Sequence, residues 1–394
     1  MVFLSNLRLK SKDPRTRRKV IESLDLERED PETFQVLTTS LADEDPQVRS
    51  AAAKAIGCIQ QDDRAGELLI PLLRDPTPEV RQAAAAALGH LRDGRATGPL
   101  SAALKDASPE VRLGAATALR NLGWNPSSEE QRALLDVALG HTQAAALRGE
   151  AAVNPLVSEL GNNADSIRRD AAAALEEVND ARRIQPLLAA VADAEPTVRV
   201  SAIHALGKAT GDQVTKALLK GLRYSEACVR LAAAIVLARR DNPEFIPQFL
   251  PLLNDAHFEV RLTAVQLLGR LRDPATVKAL LPRLTDKDSD VRLATAQALA
   301  LIGSPVAVSA QVPVLVDDDH TIRHAAAEAL DQIDPNWRTS EAVRQACAQL
   351  EISVQDRPRW VRAAASQLAS KLRQTAEPSL PSPGPVVLKM ASMD

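Results

Sequence analysis

The chain has 394 residues, of which 45% are hydrophobic and only 2% are aromatic. Alanine and leucine, both strong helix formers, supply most of the hydrophobic share, so the composition predicts an all-α protein. A net charge of -3 and a pI near 6.1 provide no overall attraction to nucleic acid or to anionic membranes.

The N-terminal sequence MVFLSNLRLKSKDPRTRRK carries charge where a secretory signal would need an apolar run. No apolar stretch approaches the roughly 18 residues that span a bilayer. Cys58, Cys228 and Cys347 are widely separated, which indicates neither a disulfide framework nor a thiolate metal site. We therefore expect a cytoplasmic protein whose partners include neither nucleic acid nor a membrane.

A Val-Arg or Ile-Arg pair recurs along the chain with a similar set of neighbours. Five successive steps between its arginines are 31 residues long, which indicates a repeat architecture. The arginines are Arg49, Arg81, Arg112, Arg168, Arg199, Arg230, Arg261, Arg292, Arg323 and Arg362.

Each pair is predicted to open a helix, here called helix B. Counted from the valine as position 0, apolar or small residues fall at positions 0, 3, 4, 7 and 8, which form one helix face. Prolines two residues before the valine suit the first position of a helix. These prolines are Pro46, Pro78, Pro109 and Pro196, and the predicted N-caps are Asp45, Thr77 and Ser108.

A second, leucine-rich helix lies between successive helices B and is here called helix A; RAGELLIPLLRD, from Arg64, is one example. One such hairpin cannot bury its own apolar face, but stacked neighbours bury it between them. The pattern resembles the HEAT repeats of bilin-lyase subunits and of many bacterial proteins in the same repeat class, over roughly residues 13 to 373. The resemblance implies a right-handed α-α superhelix, an armadillo-type solenoid of about ten hairpins.

Two irregular steps predict the domain organisation. A 56-residue step contains Trp124-Asn125-Pro126 and one extra amphipathic helix, and a 39-residue step contains Trp337. We predict an N-terminal stack over residues 1–123 and an irregular insertion over 124–152. A C-terminal stack follows over 153–373, and then a Pro- and Ser-rich disordered tail over 374–394. The first helix, near Pro14 to Leu24, is predicted to cap the stack, with the basic stretch Arg8 to Lys19 facing solvent.

An Asp stands six residues before most of the repeated arginines. Because it recurs in nearly every repeat, it is interpreted as structural, and in HEAT solenoids such residues form a hydrogen-bond ladder between neighbouring turns. Asn162 and Tyr224 replace it before Arg168 and Arg230, which predicts a weaker ladder there. The pairs are Asp43/Arg49, Asp75/Arg81, Asp106/Arg112, Asp193/Arg199, Asp255/Arg261, Asp286/Arg292, Asp317/Arg323 and Asp356/Arg362.

Histidine forms one local cluster, in which His320, His324 and Glu328 share a helix face after three aspartates. Two His at this spacing can bind a transition metal, but acidic residues also suit a helix N-terminus, and we prefer that interpretation. Deoxyhypusine hydroxylase, a HEAT-repeat di-iron enzyme, resembles the chain in repeat class and uses His-Glu pairs, whereas no His here precedes Glu. We predict no metal, no cofactor and no catalytic site.

Positions 2 and 6 of helix B point away from the core face, and in HEAT folds they line the concave side. In four successive repeats position 2 is apolar, and such a patch usually marks an interaction site. The same leucines could equally pack against the neighbouring helix B. The predicted partner-binding residues are Val200, His204, Leu231, Ile235, Leu262, Gln266, Leu293 and Gln297.

The sequence therefore predicts a non-enzymatic scaffold that binds another protein in a groove, mainly over residues 198–330. Two alternatives stay open. The resemblance permits a lyase- or chaperone-like subunit that handles a bilin chromophore or its acceptor protein. A metal-dependent oxidoreductase related to the HEAT-repeat hydroxylases is disfavoured by the missing His-Glu pairs.

Overall fold

The computed structural model describes residues 10–24, 26, 31–59, 64–341, 343–346 and 359–376. Within these residues every regular element is helical, and the predicted all-α fold is confirmed. Residues 374–376 end the last helix, while the rest of the predicted disordered tail lies outside the described residues, as does Asp356.

The chain forms two compact units, Met1–Val214 and Thr215–Asp394, and the predicted division at residues 124–152 stays a prediction. In the first unit, helices B are α1, α3, α5, α7, α11 and α13. The α-helices of this unit are α1 (Pro14–Glu22), α2 (Pro31–Ser40), α3 (Pro46–Ile56), α4 (Arg64–Leu69), α5 (Pro78–Leu91), α6 (Thr97–Ala103), α7 (Pro109–Asn121), α8 (Glu129–Ala138), α9 (Thr142–Ala146), α10 (Val153–Glu159), α11 (Asp165–Ala174), α12 (Ile184–Ala190) and α13 (Pro196–Ala205).

Helix α14 (Asp212–Gly221) contains the division between the units. Helices B of the second unit are α15, α17, α19, α21 and α22. The α-helices that follow α14 are α15 (Ala227–Ala238), α16 (Ile246–Phe249), α17 (Phe258–Leu271), α18 (Val277–Leu280), α19 (Ser289–Ile302), α20 (Ala307–Gln311), α21 (His320–Ile333) and α22 (Arg359–Ala376).

Short 3₁₀ segments flank many of the helices A. A proline inside helix A removes an N–H donor, and the helix tightens to 3₁₀ geometry at Pro71, Pro251, Pro282 and Pro313. The 3₁₀ segments are Ile70–Arg74, Gly94–Ala96, Gly149–Ala152, Ala181–Arg183, Pro243–Phe245, Pro251–Asn254, Pro274–Thr276, Leu281–Thr285, Val312–Val316 and Trp337–Thr339.

The predicted starts of helices B are confirmed, because α3, α5, α7 and α13 begin at their prolines. The Asp45 carboxylate caps α3 by accepting hydrogen bonds from Gln47 N at 2.8 Å and Val48 N at 3.3 Å. Thr77 and Ser108 occupy the predicted N-cap positions, but neither side chain accepts a hydrogen bond from a backbone N–H of its helix. Instead, Asp75 and Asp106 accept hydrogen bonds from the Thr77 and Ser108 N–H groups, each at 2.8 Å.

Successive helices B pack closely, because small residues meet at their contacts. A Cβ atom placed on Gly269 of α17 would lie 2.6 Å from the Cβ atom of Ala298 on α19. Leu268 and Leu299 of these helices are fully buried, and burial of each leucine contributes roughly 1.5–3 kcal/mol. No helix in the described part of the chain combines the length and the hydropathy required to cross a bilayer.

Candidate functional site

Helices B are joined by a repeated salt bridge. In its most buried example, Arg261 Nε donates to Asp286 Oδ2 at 2.8 Å and Arg261 Nη2 donates to Asp286 Oδ1 at 2.6 Å. The two side chains are 4% and 3% exposed. The same two-pronged geometry, which suits the planar guanidinium fork, recurs along the stack. The pairs are Arg17–Asp43, Arg49–Asp75, Arg81–Asp106, Arg168–Asp193, Arg230–Asp255, Arg261–Asp286 and Arg292–Asp317.

This geometry corrects the pairing drawn from the sequence. The Asp six residues before an Arg does not give that Arg its carboxylate; Asp255, for example, accepts from Arg261 only through its backbone carbonyl, at 2.9 Å. The carboxylate comes from the next repeat. Arg168 and Arg230 therefore have complete partners in Asp193 and Asp255, and the predicted weakening at these two arginines is wrong.

Arg17 is a member of this ladder that the sequence reasoning missed. Its side chain is buried against Asp43, so it is not part of a solvated basic surface as predicted. The signal was present in the sequence, because Asp43 follows Arg17 by 26 residues, the same spacing as Asp75 after Arg49.

The ladder carboxylates of Asp193 and Asp255 remain ionised at neutral pH. Hydrogen bonds from Arg168 lower the pKa of Asp193 against the opposing effect of burial. At Asp255, burial raises the pKa, but the bonds from Arg230 and from the His257 N–H outweigh it and the net pKa is lowered. A lowered folded-state pKa means that each carboxylate contributes stability at neutral pH, which is lost as the pH falls through that pKa.

The ladder changes at Arg112, after which the extra helices α8 and α9 enter the chain. Arg112 donates through Nη2 to Glu159, which lies 47 residues further on, and both side chains are buried. Asn162, which stands where a ladder Asp is expected, donates to the other oxygen of Glu159 at 2.8 Å. The Arg112 Nε atom is buried and has no hydrogen-bond partner. At this irregular step, the Arg112 guanidinium thus makes only one of the two carboxylate hydrogen bonds that the other ladder arginines make.

The predicted apolar patch at position 2 of helix B lies partly on helices B of the second unit. Helices α15, α17, α19 and α21 pack each on the next. They carry Leu231, Leu262 and Leu293 at position 2, and all three leucines are half-buried. Leu301, one turn beyond Gln297, is also exposed. The leucines are therefore neither fully solvated nor fully core.

The other predicted binding residues differ in exposure. Ile235 is half-buried beside Leu231, whereas Gln266 and Gln297 are exposed at position 6. Val200 and His204 are half-buried on α13 and belong to the first unit. As a binding set, all of these residues stay a prediction.

The histidine cluster does not assemble a metal site. His324 Nε2 lies 3.3 Å from Glu328 Oε1, and His320 Nδ1 lies 3.8 Å from Asp319 Oδ1. Among the residues that the structure describes, no three His, Cys, Asp or Glu side chains converge as metal ligands. Asp319 instead caps α21 by accepting a hydrogen bond from Thr321 N at 2.7 Å.

Solved structures resemble the chain at low similarity. An engineered protein shares 22% identity over 84% of this chain and 98% of its own, with a TM-score of 0.39. Human deoxyhypusine hydroxylase in complex with glycerol shares 22% identity over 76% and 95% of the two chains, with a TM-score of 0.28. A structure on Kap95p binding to RanGDP shares 16% identity over 95% and 60%, with a TM-score of 0.37. No curated protein matches the sequence.

A family model gives the decisive comparison. The model for HEAT repeats matches residues 2–75, 66–154, 153–227, 215–300 and 277–370, nearly the whole chain. These matches contain the helical hairpins and the Arg–Asp ladder described above. The chain belongs to the HEAT-repeat family.

Proposed function

We propose that this chain is a non-enzymatic scaffold that binds another protein on the exposed face of its helices B. The main contact surface is the leucine face, defined as Leu231, Ile235, Leu262 and Leu293 of the second unit, with Gln266 and Gln297 at its rim. Val200 and His204, which belong to the first unit, are proposed as further binding residues.

One observation carries this proposal. Leu231, Leu262 and Leu293 occupy the same position on three consecutive, mutually packed helices, and each remains only half-buried. A row of apolar side chains that the protein itself leaves partly uncovered favours burial against a partner. The repeat architecture supports the same role, because each repeat adds contact area to one continuous surface.

The two alternatives lack such an observation. No feature of the described residues specifically favours a bilin chromophore or a metal-dependent oxidation. A visible absorption shift with bilin and an acceptor protein, or bound metal in elemental analysis, would reopen them.

The test replaces two leucines of the leucine face with charge. We expect Leu231→Glu combined with Leu262→Glu to abolish recovery of a partner that the unchanged protein captures from its native host. Burying two carboxylates in an apolar interface costs several kcal/mol, whereas half-buried positions leave the charge in contact with water in the free protein. Affinity purification followed by mass spectrometry measures the loss, and far-UV circular dichroism checks the fold.

Val306→Glu is the matched control, because Val306 is an exposed apolar residue of the same unit but lies outside helices B. It should leave capture intact. Equal capture by the double variant would contradict the proposal, and loss of helical signal in that variant would show that the leucine face belongs to the core.

A further inference from the structure

One core position of the repeat is exposed. The first core residue of helix B is the Val or Ile of the repeated pair, and Ile167 in α11 is 38% exposed at this position. The equivalent residues in other repeats are at most 1% exposed. They are Val48, Val80, Val111, Val198, Val229, Val260, Val291, Ile322 and Val361.

The inserted helices explain this exposure. Where two helices B follow in regular order, as α5 and α7 do, the second packs directly on the first. Between α7 and α11 the chain adds α8 and α9, and α8 packs on α7 while α9 packs on α11. Ile167 thus lacks the close helical neighbour that buries its counterparts.

The result is a cleft of about 370 Å³ between α7 and α11. Leu113 of α7, 50% exposed, lines it together with Ile167, and the side chains of Val137 and Leu139 contribute further apolar surface. The buried Arg112, whose Nε has no acceptor, also lines the cleft. Partly exposed apolar side chains and a buried N–H group without an acceptor therefore line the same cleft.

The charge around the cleft is negative. Arg112 and Glu159 neutralise each other in their buried pair. Glu110 is exposed in the first turn of α7, and the hydrogen bond from the Ser108 hydroxyl at 2.6 Å lowers its pKa, so it is ionised. Asp170 adds a second carboxylate, although Arg169 lies 2.8 Å from it.

We propose that this cleft is a second interaction site, which binds a short basic amphipathic helix of another protein. The helix would place leucine-type side chains between Leu113 and Ile167, where a neighbouring helix B would otherwise pack, with Lys or Arg beside Glu110. Helix-in-groove recognition of this kind combines apolar anchors with charge complementarity at the rim. The site is independent of the leucine face.

The test uses two labelled synthetic helices of about 14 residues with leucine along one face. One peptide carries Lys on its polar face and the other carries Glu. Fluorescence anisotropy on the full chain should show saturable binding of the Lys peptide, at least about tenfold tighter than the Glu peptide. Binding of neither peptide, or equal binding of both, would overturn the proposal.

Two variants locate the binding. Ile167→Ser should weaken the Lys peptide about tenfold, because it removes an apolar anchor. Leu147→Ser, at a residue that is 87% exposed and outside the cleft, should change nothing. Equal effects of these two substitutions would contradict the site.

Glu110→Lys tests the charge without altering apolar surface, and it should reverse the preference between the two peptides. An unchanged preference would contradict the proposed chemistry. Sedimentation of the unliganded protein tests the alternative occupant: a dimer that Ile167→Ser abolishes would show that a second copy fills the cleft, and would overturn binding of a separate helix.

Discussion

Two regions of the molecule use the same repeat with opposite results. In α17 to α21 each helix B packs on the next, the arginine of one repeat reaches the aspartate of the following one, and the first core residue is fully buried. From α7 to α11 the next helix B is delayed by two extra helices. Arg112 then turns to Glu159, and Ile167 is left partly exposed.

The difference shows that a neighbouring repeat supplies two things together. It covers the apolar face of helix B, and it provides the carboxylate that completes the guanidinium fork. When the neighbour is displaced, both are affected at the same place, as expected where each repeat contacts mainly its nearest neighbours. We therefore expect contacts between repeats to stabilise the regular region. In the interrupted region, the uncovered apolar surface of helix B is expected to remain available for binding.

The largest expected effect comes from removing a buried Arg–Asp salt bridge of the regular region. Asp286→Ala leaves Arg261 buried without a carboxylate, and we expect a loss of about 3–5 kcal/mol in the free energy of unfolding. Urea denaturation followed by far-UV circular dichroism measures it.

Asp241→Asn is the control, because the Arg270–Asp241 pair also involves α17 but both side chains are about half exposed, and Asn tolerates the positive φ of this position as Asp does. Its removal should cost no more than about 1 kcal/mol. Similar losses in the two variants would mean that burial of the ladder does not set its contribution.

A smaller effect tests the close approach of helices B. Gly269→Ala introduces a Cβ atom 2.6 Å from the Cβ and 2.8 Å from the Cα of Ala298. Relief of this clash should cost about 1–3 kcal/mol, which outweighs the gain of up to about 1 kcal/mol in helix propensity. The midpoint of thermal unfolding should fall.

Gly98→Ala supplies the opposite case, because no atom lies within 4 Å of a Cβ added to Gly98 in α6. Here helix propensity acts alone, and the midpoint should rise. A shift in the same direction for both variants would contradict the packing described for α17 and α19.

Much of the regular region could be predicted from the sequence. Periodic apolar positions and prolines define helix B locally, so the sequence alone predicts that one of these helices begins at Pro196. The partner of each arginine could not be predicted in this way, because an Asp six residues before one arginine also lies 25 residues after the arginine of the preceding 31-residue repeat. Both spacings occur together, and only packing distinguishes them.

The interrupted region was predictable only in outline. The sequence places an extra helix after Trp124, but nothing local to Ile167 distinguishes it from the buried Val198 or Val229. Its exposure depends on whether another helix B packs against it, which is a property of the stack. Glu159 was missed for the same reason, since it bonds to Arg112 from helix α10, outside the pattern of helix B.

The most direct test of this account compares thiol accessibility at the equivalent positions 167 and 260. In a chain whose Cys58, Cys228 and Cys347 are replaced by Ser, Ile167→Cys and Val260→Cys are each labelled with a maleimide under native conditions. We expect the Ile167→Cys thiol to react rapidly, and the Val260→Cys thiol to react only as the stack opens. Equal protection of both thiols, or equal reactivity of both, would contradict the claim that the inserted helices uncover a core position of the repeat.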